Sequence, residues 1–271
     1  MLAELLELAP AGLEQVDGEG FVEFALYGAP GELPALAEGD ALVGGVRVRV
    51  RGQTVADDWA ERWRAFHEPV LVGGRVWVRP PWAPPREDAL DLVIDPGQAF
   101  GTGAHPTTRM SLELLLELPG RGAPGRKHSA RPSARGGLVD LGCGSGVLAI
   151  AAAKLGYAPV DAYDDDPAAI EATLENARAN GVELRRVERL DLRERAAPTA
   201  PTVTANLVRP LLLRVAELVP EQPETLIASG LLGGEEEEVA AAFAPMRERR
   251  RLRSQGWSAC LLTGPRRCPR C

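Results

Sequence analysis

The stretch VDLGCGSG, residues 139–146, decides the fold of this chain. Apolar residues lead into Asp140, three glycines follow at alternate positions, and the apolar run from Val147 to Ile150 comes directly after them. Glycine tolerates positive φ angles and allows a backbone to approach a ligand closely. The stretch therefore predicts a buried strand, a tight ligand-binding turn and the start of a helix.

The spacing of this turn, D-x-G-x-G-x-G, differs from the G-x-G-x-x-G of dinucleotide-binding enzymes. A carboxylate entering the turn disfavours a pyrophosphate there, but it suits a ligand with an amino group. S-adenosylmethionine is such a ligand, and we expect it to be the cofactor. The predicted contacts in this turn are Asp140, Gly142, Gly144 and Gly146.

A second acid, Asp164, follows the glycine loop and one helix, where the next parallel strand should end. A carboxylate at that position can accept both hydroxyls of a ribose. The alternative is that residues 164–166 are a solvated turn that caps the helix beginning at Pro167. The two interpretations are compatible, with Asp164 as the ligand and Asp165 or Asp166 as the cap.

From Leu90 onward, apolar strand patterns alternate with helical ones, which is typical of a doubly wound parallel α/β sheet. The predicted strands are 138–140, 160–163, 184–187, 202–205, 225–229 and 259–262. The predicted helices are 106–118, 147–155, 167–180, 209–219 and 235–244.

Three regions are expected along the chain. Residues 1–52 have strand patterns at 21–26 and on either side of Gly44-Gly45, which predicts a small α+β domain for substrate recognition. Residues 53–85 predict a linker helix at 57–67 and a hairpin around Gly73-Gly74. Residues 86–271 form the predicted cofactor-dependent catalytic domain, with a surface loop at 120–137.

Composition limits the classes of partner. The net charge of −7 argues against direct binding of nucleic acid and favours a basic partner. The sequence has no apolar run long enough for a membrane span and no signal-peptide pattern, and four cysteines are too few for a disulfide scaffold. We therefore expect a cytoplasmic monomer. Cys268 and Cys271 are half a zinc site at best, so no metal site is predicted.

The segment DPGQAFGTGAHPTT, residues 95–108, is unusual for a loop. Its glycines would let Phe100 and Thr102 reach a ligand, and Pro106 is placed to begin a helix. His105 has three possible roles: a contact at the helix start, a general base, or a hydrogen-bonded core residue. The structural roles are the commoner outcome for a single histidine.

Asn206 lies at the end of a predicted strand, at the sheet edge where ligands bind in such folds. Its amide carbonyl could hold a nucleophilic amine, which would make it the catalytic residue. The alternative is an asparagine turn ahead of the helix that contains Pro210.

These motifs together resemble the bacterial PrmA family, the methyltransferases of a large-subunit ribosomal stalk protein. The resemblance covers about residues 57–262, and the block at 95–108 is its most specific part. It implies a Rossmann-like, class I S-adenosylmethionine-dependent methyltransferase fold with a small N-terminal domain. It also implies that the cofactor site is lined by Phe100, Thr102, Gly142, Asp164 and Asn206.

The expected function is a protein N-methyltransferase that acts on lysine and/or N-terminal amines of a basic ribosomal protein. Two alternatives stay open at this point. One is a related methyltransferase acting on another protein lysine or a small amine, and the other is a non-catalytic scaffold that binds the cofactor.

Overall fold

The computed structural model describes residues 13–18, 21–26, 39–43, 45–52, 67–96, 101, 103–118 and 136–265. The chain divides into two compact units, residues 1–63 and residues 64–271. Several sequence predictions lie outside the described residues. These are the linker helix up to residue 66, most of the loop at 120–137, the side chains of Phe100 and Thr102, and the tail with Cys268 and Cys271.

In the N-terminal unit, the described residues form two antiparallel hairpins. Strand β1 (Leu13–Gly18) pairs with β2 (Phe21–Leu26), and β3 (Gly39–Val43) pairs with β4 (Val46–Val50). The turn between β3 and β4 contains Gly45 at a φ of 77°, a conformation that glycine adopts without strain. The strands predicted on either side of Gly44-Gly45 are therefore confirmed.

The larger unit begins with a small three-stranded sheet. Strands β5 (Val70–Val72) and β6 (Val76–Arg79) form the predicted hairpin, and β7 (Leu90–Val93) runs parallel to β6. Val72, Val76 and Val78 are buried in the same apolar core as the helices described below. The predicted domain boundaries stay predictions. Strands β6 and β7 lie on opposite sides of the boundary predicted between residues 85 and 86, and they pair with each other.

The main sheet has seven strands in the order β10-β9-β8-β11-β12-β14-β13. All neighbouring pairs are parallel except those made by β14, which is antiparallel to both of its neighbours. The strands are β8 (Leu138–Leu141), β9 (Val160–Asp164), β10 (Arg186–Arg189), β11 (Thr202–Asn206), β12 (Thr225–Leu232), β13 (Arg247–Ser254) and β14 (Trp257–Thr263).

Helices cover both faces of this sheet, as in a doubly wound fold. One apolar core contains residues of α1, α2 and α3, and the other contains residues of α4 and α5. The helices are α1 (Pro106–Glu117), α2 (Val147–Lys154), α3 (Pro167–Ala179), α4 (Arg209–Leu218) and α5 (Glu236–Ala242). All five predicted helices are confirmed to within three residues at each end.

The predicted doubly wound sheet is confirmed, and at one edge it contains a strand that was not predicted, β13, which pairs with the antiparallel strand β14. Strand β13 reads RERRRLRS and has no apolar alternation, since it lies at the exposed edge of the sheet. Charged side chains at such an edge discourage pairing with other chains. Gln255 and Gly256 both have positive φ, which suits a tight hairpin turn and makes β14 antiparallel. The strand predicted at 184–187 also lies two residues later, at Arg186–Arg189.

A buried carboxylate ties α5 to this edge. Glu236 has no exposed surface and accepts hydrogen bonds from Arg253 Nε at 2.7 Å, Ser258 Oγ at 2.7 Å and Gly234 N at 2.6 Å. Burial by itself would raise the pKa of Glu236, but the hydrogen bonds outweigh it and lower the pKa to about 2. The charged form of Glu236 therefore stabilises the folded state.

We expect Glu236→Gln to lower the free energy of unfolding by about 2 kcal/mol at pH 7, because a charged partner of Arg253 is lost. A carboxyl with a depressed pKa stabilises fully above its unfolded pKa of about 4.5, and this stabilisation is lost as the pH falls toward 2. The gap between wild type and variant should therefore narrow between pH 7 and pH 3.5 in urea titrations.

Glu237→Gln is the matched control. That side chain is 68% exposed and pairs with Arg251, so its loss should change stability by less than about 1 kcal/mol. A Glu236→Gln protein as stable as the Glu237→Gln protein at pH 7 would contradict the assignment of Glu236.

Candidate functional site

The candidate site lies at the carboxyl edge of the main sheet, where the glycine loop joins β8 to α2. The backbone amides of Gly142 and Cys143 donate to the Tyr163 carbonyl at 2.8 and 3.0 Å. The amide of Gly144 donates to Asp164 Oδ2 at 2.9 Å. Three successive amides of the loop are thus held by the end of β9, which brings the two sequence motifs together.

Asp164 is half-buried at the last position of β9. Its second oxygen, Oδ1, accepts from the amide of Asp166 at 3.1 Å, and burial raises its pKa. Asp166 caps α3 by accepting from Ala168 N at 2.9 Å. Helix capping therefore falls to Asp166, and Asp164 keeps free lone pairs on both oxygens for a ligand.

Asp140 is completely buried at the end of β8. Its Oδ1 accepts from Thr204 Oγ1 at 2.6 Å, whereas Oδ2 has no hydrogen-bond partner in the described part of the chain. Burial raises the pKa of Asp140 to about 7; the Thr204 hydroxyl and the Ala149 amide lower it, and the charge of Asp164 raises it further. A buried carboxylate oxygen without a partner fits a donor from a ligand or from a bridging water.

The glycines of the loop have different roles. At Gly142, with a φ of 71°, a Cβ would lie 2.3 Å from Leu207 Cδ2. At Gly146, with a φ of 80°, it would lie 2.9 Å from the Thr173 side chain of α3. Gly146 is therefore required for the close packing of the loop on α3, and its direct contact with a cofactor stays a prediction.

Asn206 is the last residue of β11, half-exposed at the same sheet edge. The next amide, Leu207 N, donates to the Ser229 carbonyl of β12 at 3.0 Å. Gly230 has a φ of 85°, and a Cβ there would lie 2.4 Å from the Leu207 carbonyl oxygen. The close approach of these two backbones fixes the turn after Asn206, and it requires glycine at residue 230.

His105 has the first of its three proposed roles. It is the N-cap of α1, where Nδ1 accepts from Thr107 N at 3.3 Å and lies 2.7 Å from Thr107 Oγ1. Its ring packs edge-on against Trp257, with the centroids 5.0 Å apart, and burial lowers its pKa. A neutral ring whose Nδ1 accepts from the backbone carries its proton on Nε2, so this histidine organises the helix start.

Sequence reasoning missed several polar residues around the loop. Thr173 Oγ1 donates to the Gly144 carbonyl at 2.9 Å, and Asn176 Nδ2 donates to the Ser145 carbonyl at 2.9 Å. The available signal was the spacing of Asn176 and Asn180, two amides on one face of a helix.

The described residues include one cysteine in the glycine loop and no cluster of metal-binding side chains. Cys143 is a buried thiol in the glycine loop, and burial followed by the charge of Asp140 raises its pKa, which makes it a poor nucleophile. Across the ranges that the structure describes, no cluster of three or more histidine, cysteine or acidic side chains could hold a metal ion. No helix in those ranges is long and apolar enough to cross a bilayer.

Residues 34–264 match the family model described as ribosomal protein L11 methyltransferase (PrmA). The chain belongs to the PrmA family. One similar relative is the ribosomal protein L11 methyltransferase of Klebsiella pneumoniae strain 342, with 40% identity over 195 residues. Another is that of Pectobacterium carotovorum subsp. carotovorum strain PC1, with 36% identity over 259 residues.

The aligned share of this PrmA-family chain, and of each relative, differs from one relative to the next. The Klebsiella alignment covers 70% of the chain and 61% of the relative, and the Pectobacterium alignment covers 90% and 80%. A ribosomal protein L11 methylase of Lactobacillus delbrueckii subsp. bulgaricus has a TM-score of 0.59 and 22% identity, covering 73% of this chain and 98% of that one. The structural likeness confirms the Rossmann-like methyltransferase fold.

Because Asp140 is buried and bonded to Thr204, we expect the free energy of unfolding to depend on pH. The folded pKa of Asp140 is raised, so the protein loses stability as the pH rises from about 4 to about 7 and ionises this buried group. Thr204→Val removes a donor to the charged form, which should lower the free energy of unfolding by about 2 kcal/mol at pH 8. The loss should be smaller at pH 5, where Asp140 holds its proton.

The control is Thr202→Val, a buried threonine of the same strand that does not bond Asp140. Thr202→Val should change the free energy of unfolding by the same amount at pH 5 and pH 8, as measured by chemical denaturation. Equal losses at pH 5 and pH 8 in the Thr204→Val protein would show that Asp140 does not titrate there.

Proposed function

We propose that this protein is an S-adenosylmethionine-dependent methyltransferase that acts on amines of the basic ribosomal protein L11. The observation that carries the proposal is the pair of carboxylates, Asp140 and Asp164, held on either side of the glycine loop in a PrmA-family chain. Family membership supports the methyl transfer, and the printed names of the relatives support L11 as the substrate.

The residues at the sheet edge fit this cofactor. The two oxygens of Asp164 each make one backbone hydrogen bond and can accept ribose hydroxyls as well. Asp140 Oδ2, which has no partner in the part of the chain that the structure describes, can accept from the amino group of the methionine part, directly or through a water. When bound, S-adenosylmethionine supplies an electrophilic methyl group on a sulfonium sulfur.

Asn206 is proposed to hold the acceptor amine. Its side-chain carbonyl, and the backbone carbonyl beside it, can accept hydrogen bonds from a neutral amine and direct the nitrogen lone pair toward the methyl group. Positioning of this kind supplies much of the rate of a transfer between two bound partners. The lysine ammonium loses its proton to water or a nearby acceptor before the transfer, so activity should rise with pH toward the lysine pKa.

The basic substrate is supported by the distribution of charge. Residues 1–63 contain twelve acidic and four basic residues, so the negative charge of the chain is concentrated in its N-terminal unit. An acidic surface attracts a basic protein and speeds its encounter. We propose that the N-terminal domain recognises the substrate, and that the enzyme works in the cytoplasm as a monomer on lysine and/or N-terminal amines.

Asp164→Ala should weaken binding of S-adenosylmethionine by about 1.5–3 kcal/mol, roughly 10- to 100-fold, because a charged acceptor is lost. Isothermal titration of both proteins measures this difference. Asp165→Ala is the matched control, since the neighbouring carboxylate pairs with Arg193 on the surface. Equal affinity in the Asp164→Ala and Asp165→Ala proteins would remove Asp164 from the cofactor site.

Asn206→Ala should lower kcat for methyl transfer to L11 at least tenfold, while the Kd for S-adenosylmethionine changes less than about threefold. The measurement is transfer of labelled methyl groups to purified L11 under single-turnover conditions. Asn206→Asp keeps an acceptor oxygen and should retain more activity than the alanine variant. A wild-type rate in Asn206→Ala would rule out this role.

The same labelling assay separates the proposed function from its alternatives. Wild-type enzyme should label L11 preferentially when it is offered all large-subunit proteins. Label on another protein or a small amine would indicate a related methyltransferase. Tight cofactor binding with no transfer to any acceptor would indicate a scaffold.

A further inference from the structure

Two asparagines, Asn176 of α3 and Asn180 at its C-cap, make hydrogen bonds to other parts of the chain. Asn176 and Asn180 are four residues apart and therefore share one face of α3. Asn176 is 2% exposed and lies at the junction of two loops that the sequence assigns to the cofactor. A buried side-chain amide has two N–H donors and one oxygen acceptor that need hydrogen-bond partners. The bonds of Asn176 therefore hold the backbone groups that it contacts in place.

The partners of these two side chains differ. Asn180 bonds both backbone groups of Val93, at 3.0 Å through Oδ1 and 2.6 Å through Nδ2, and so fastens the end of β7. Asn176 Oδ1 accepts from Asp95 N at 2.9 Å, and its Nδ2 donates to the Ser145 carbonyl at 2.9 Å. Asn176 alone of the two joins the segment after β7 to the glycine loop.

Ser145 continues this connection. Its hydroxyl is buried and donates to the Gly101 carbonyl at 2.7 Å. The segment that starts at Asp95 and ends at Gly101 is thus bonded at both ends to the same structure, Asn176 at one end and Ser145 at the other. By sequence, this segment contains Phe100, and Thr102 follows it directly.

We propose that Asn176 is a positioning residue for the cofactor. It bonds Asp95 to the glycine loop at Ser145, and the Ser145 hydroxyl in turn bonds Gly101. The inference rests on the proposed function, because it assigns the segment and the loop to one cofactor site. Without the Asn176 amide, the Asp95 N–H and the Ser145 carbonyl both lose this hydrogen-bond partner. We expect the contact between Asp95 and the glycine loop to loosen as a result.

A merely structural asparagine would behave differently. If Asn176 only joined α3 to β7, its loss would reduce stability as the loss of Asn180 does, and the folded protein would bind S-adenosylmethionine normally. Asn180→Ala is therefore the matched control, because it removes three side-chain hydrogen bonds, two to Val93 and one to the Asn176 carbonyl, none of which involves the glycine loop.

We expect Asn176→Ala to raise both the Kd and the KM for S-adenosylmethionine about tenfold, with kcat at saturation within about twofold of wild type. Asn180→Ala should lower thermal stability comparably but change the Kd less than about threefold. Ser145→Ala should weaken binding in the same direction. The double variant Asn176→Ala/Ser145→Ala should lose less than the product of the two single effects, because both act on one segment.

Hydrogen exchange of the ligand-free protein gives a readout independent of the cofactor. Peptides that cover Gly101 and Gly103 should exchange faster in Asn176→Ala than in Asn180→Ala, although neither asparagine bonds those residues. Equal exchange in the two variants, or equal cofactor affinity, would overturn the assignment. Failure of the wild-type protein to bind S-adenosylmethionine would instead refute the proposed function, and the exchange data would still decide whether Asn176 positions the segment.

Discussion

The close approach of the glycine loop to the end of β9 is the constraint on which the site depends. Three loop amides donate hydrogen bonds to Tyr163 and Asp164. Gly146 packs so closely on the Thr173 side chain of α3 that no larger residue fits there. The loop is therefore held by a strand on one side and a helix on the other. This arrangement places two carboxylates and a rigid turn at one sheet edge, where ligands of such folds bind.

Two buried carboxylates in this protein show how differently one chemical group can be used. Glu236 is surrounded by donors, so its pKa falls to about 2 and its charge stabilises the junction of α5 with β13 and β14. Asp140 accepts from Thr204, but its Oδ2 has no partner among the described residues, so burial dominates and its pKa rises to about 7. Incomplete pairing of a buried group destabilises the fold, and such groups are concentrated at functional sites.

The hydrogen bonds of α3 extend the site beyond the glycine loop. Thr173 and Asn176 contact the loop carbonyls, and Asn176 and Asn180 also bond the backbone at the end of β7. The glycine loop and the end of β7, which are about 50 residues apart in the chain, are thus bonded to the same helix. Asn176 therefore satisfies one backbone group of the glycine loop and one at the start of the second motif, Asp95.

The sequence by itself determined the alternation of strands and helices, the glycine turn and the placement of Asp140, Asp164 and Asn206 at strand ends. These features are local, because a period of apolar residues or a positive φ angle depends on neighbouring residues. It did not reveal β13, whose charged residues make no apolar pattern, or the direction of β14, which a two-residue turn decides. Only the tertiary structure showed that Asp166 caps α3, that His105 caps α1, that Gly146 is needed for packing and that Asp140 Oδ2 lacks a hydrogen-bond partner among the described residues. The two caps are local contacts, with Ala168 N and Thr107 N, and the structure selected them from the alternatives that the sequence left open. The packing of Gly146 on Thr173 and the surroundings of Asp140 bring together distant parts of the chain, and burial, which shifts the pKa values, exists only once the core has formed.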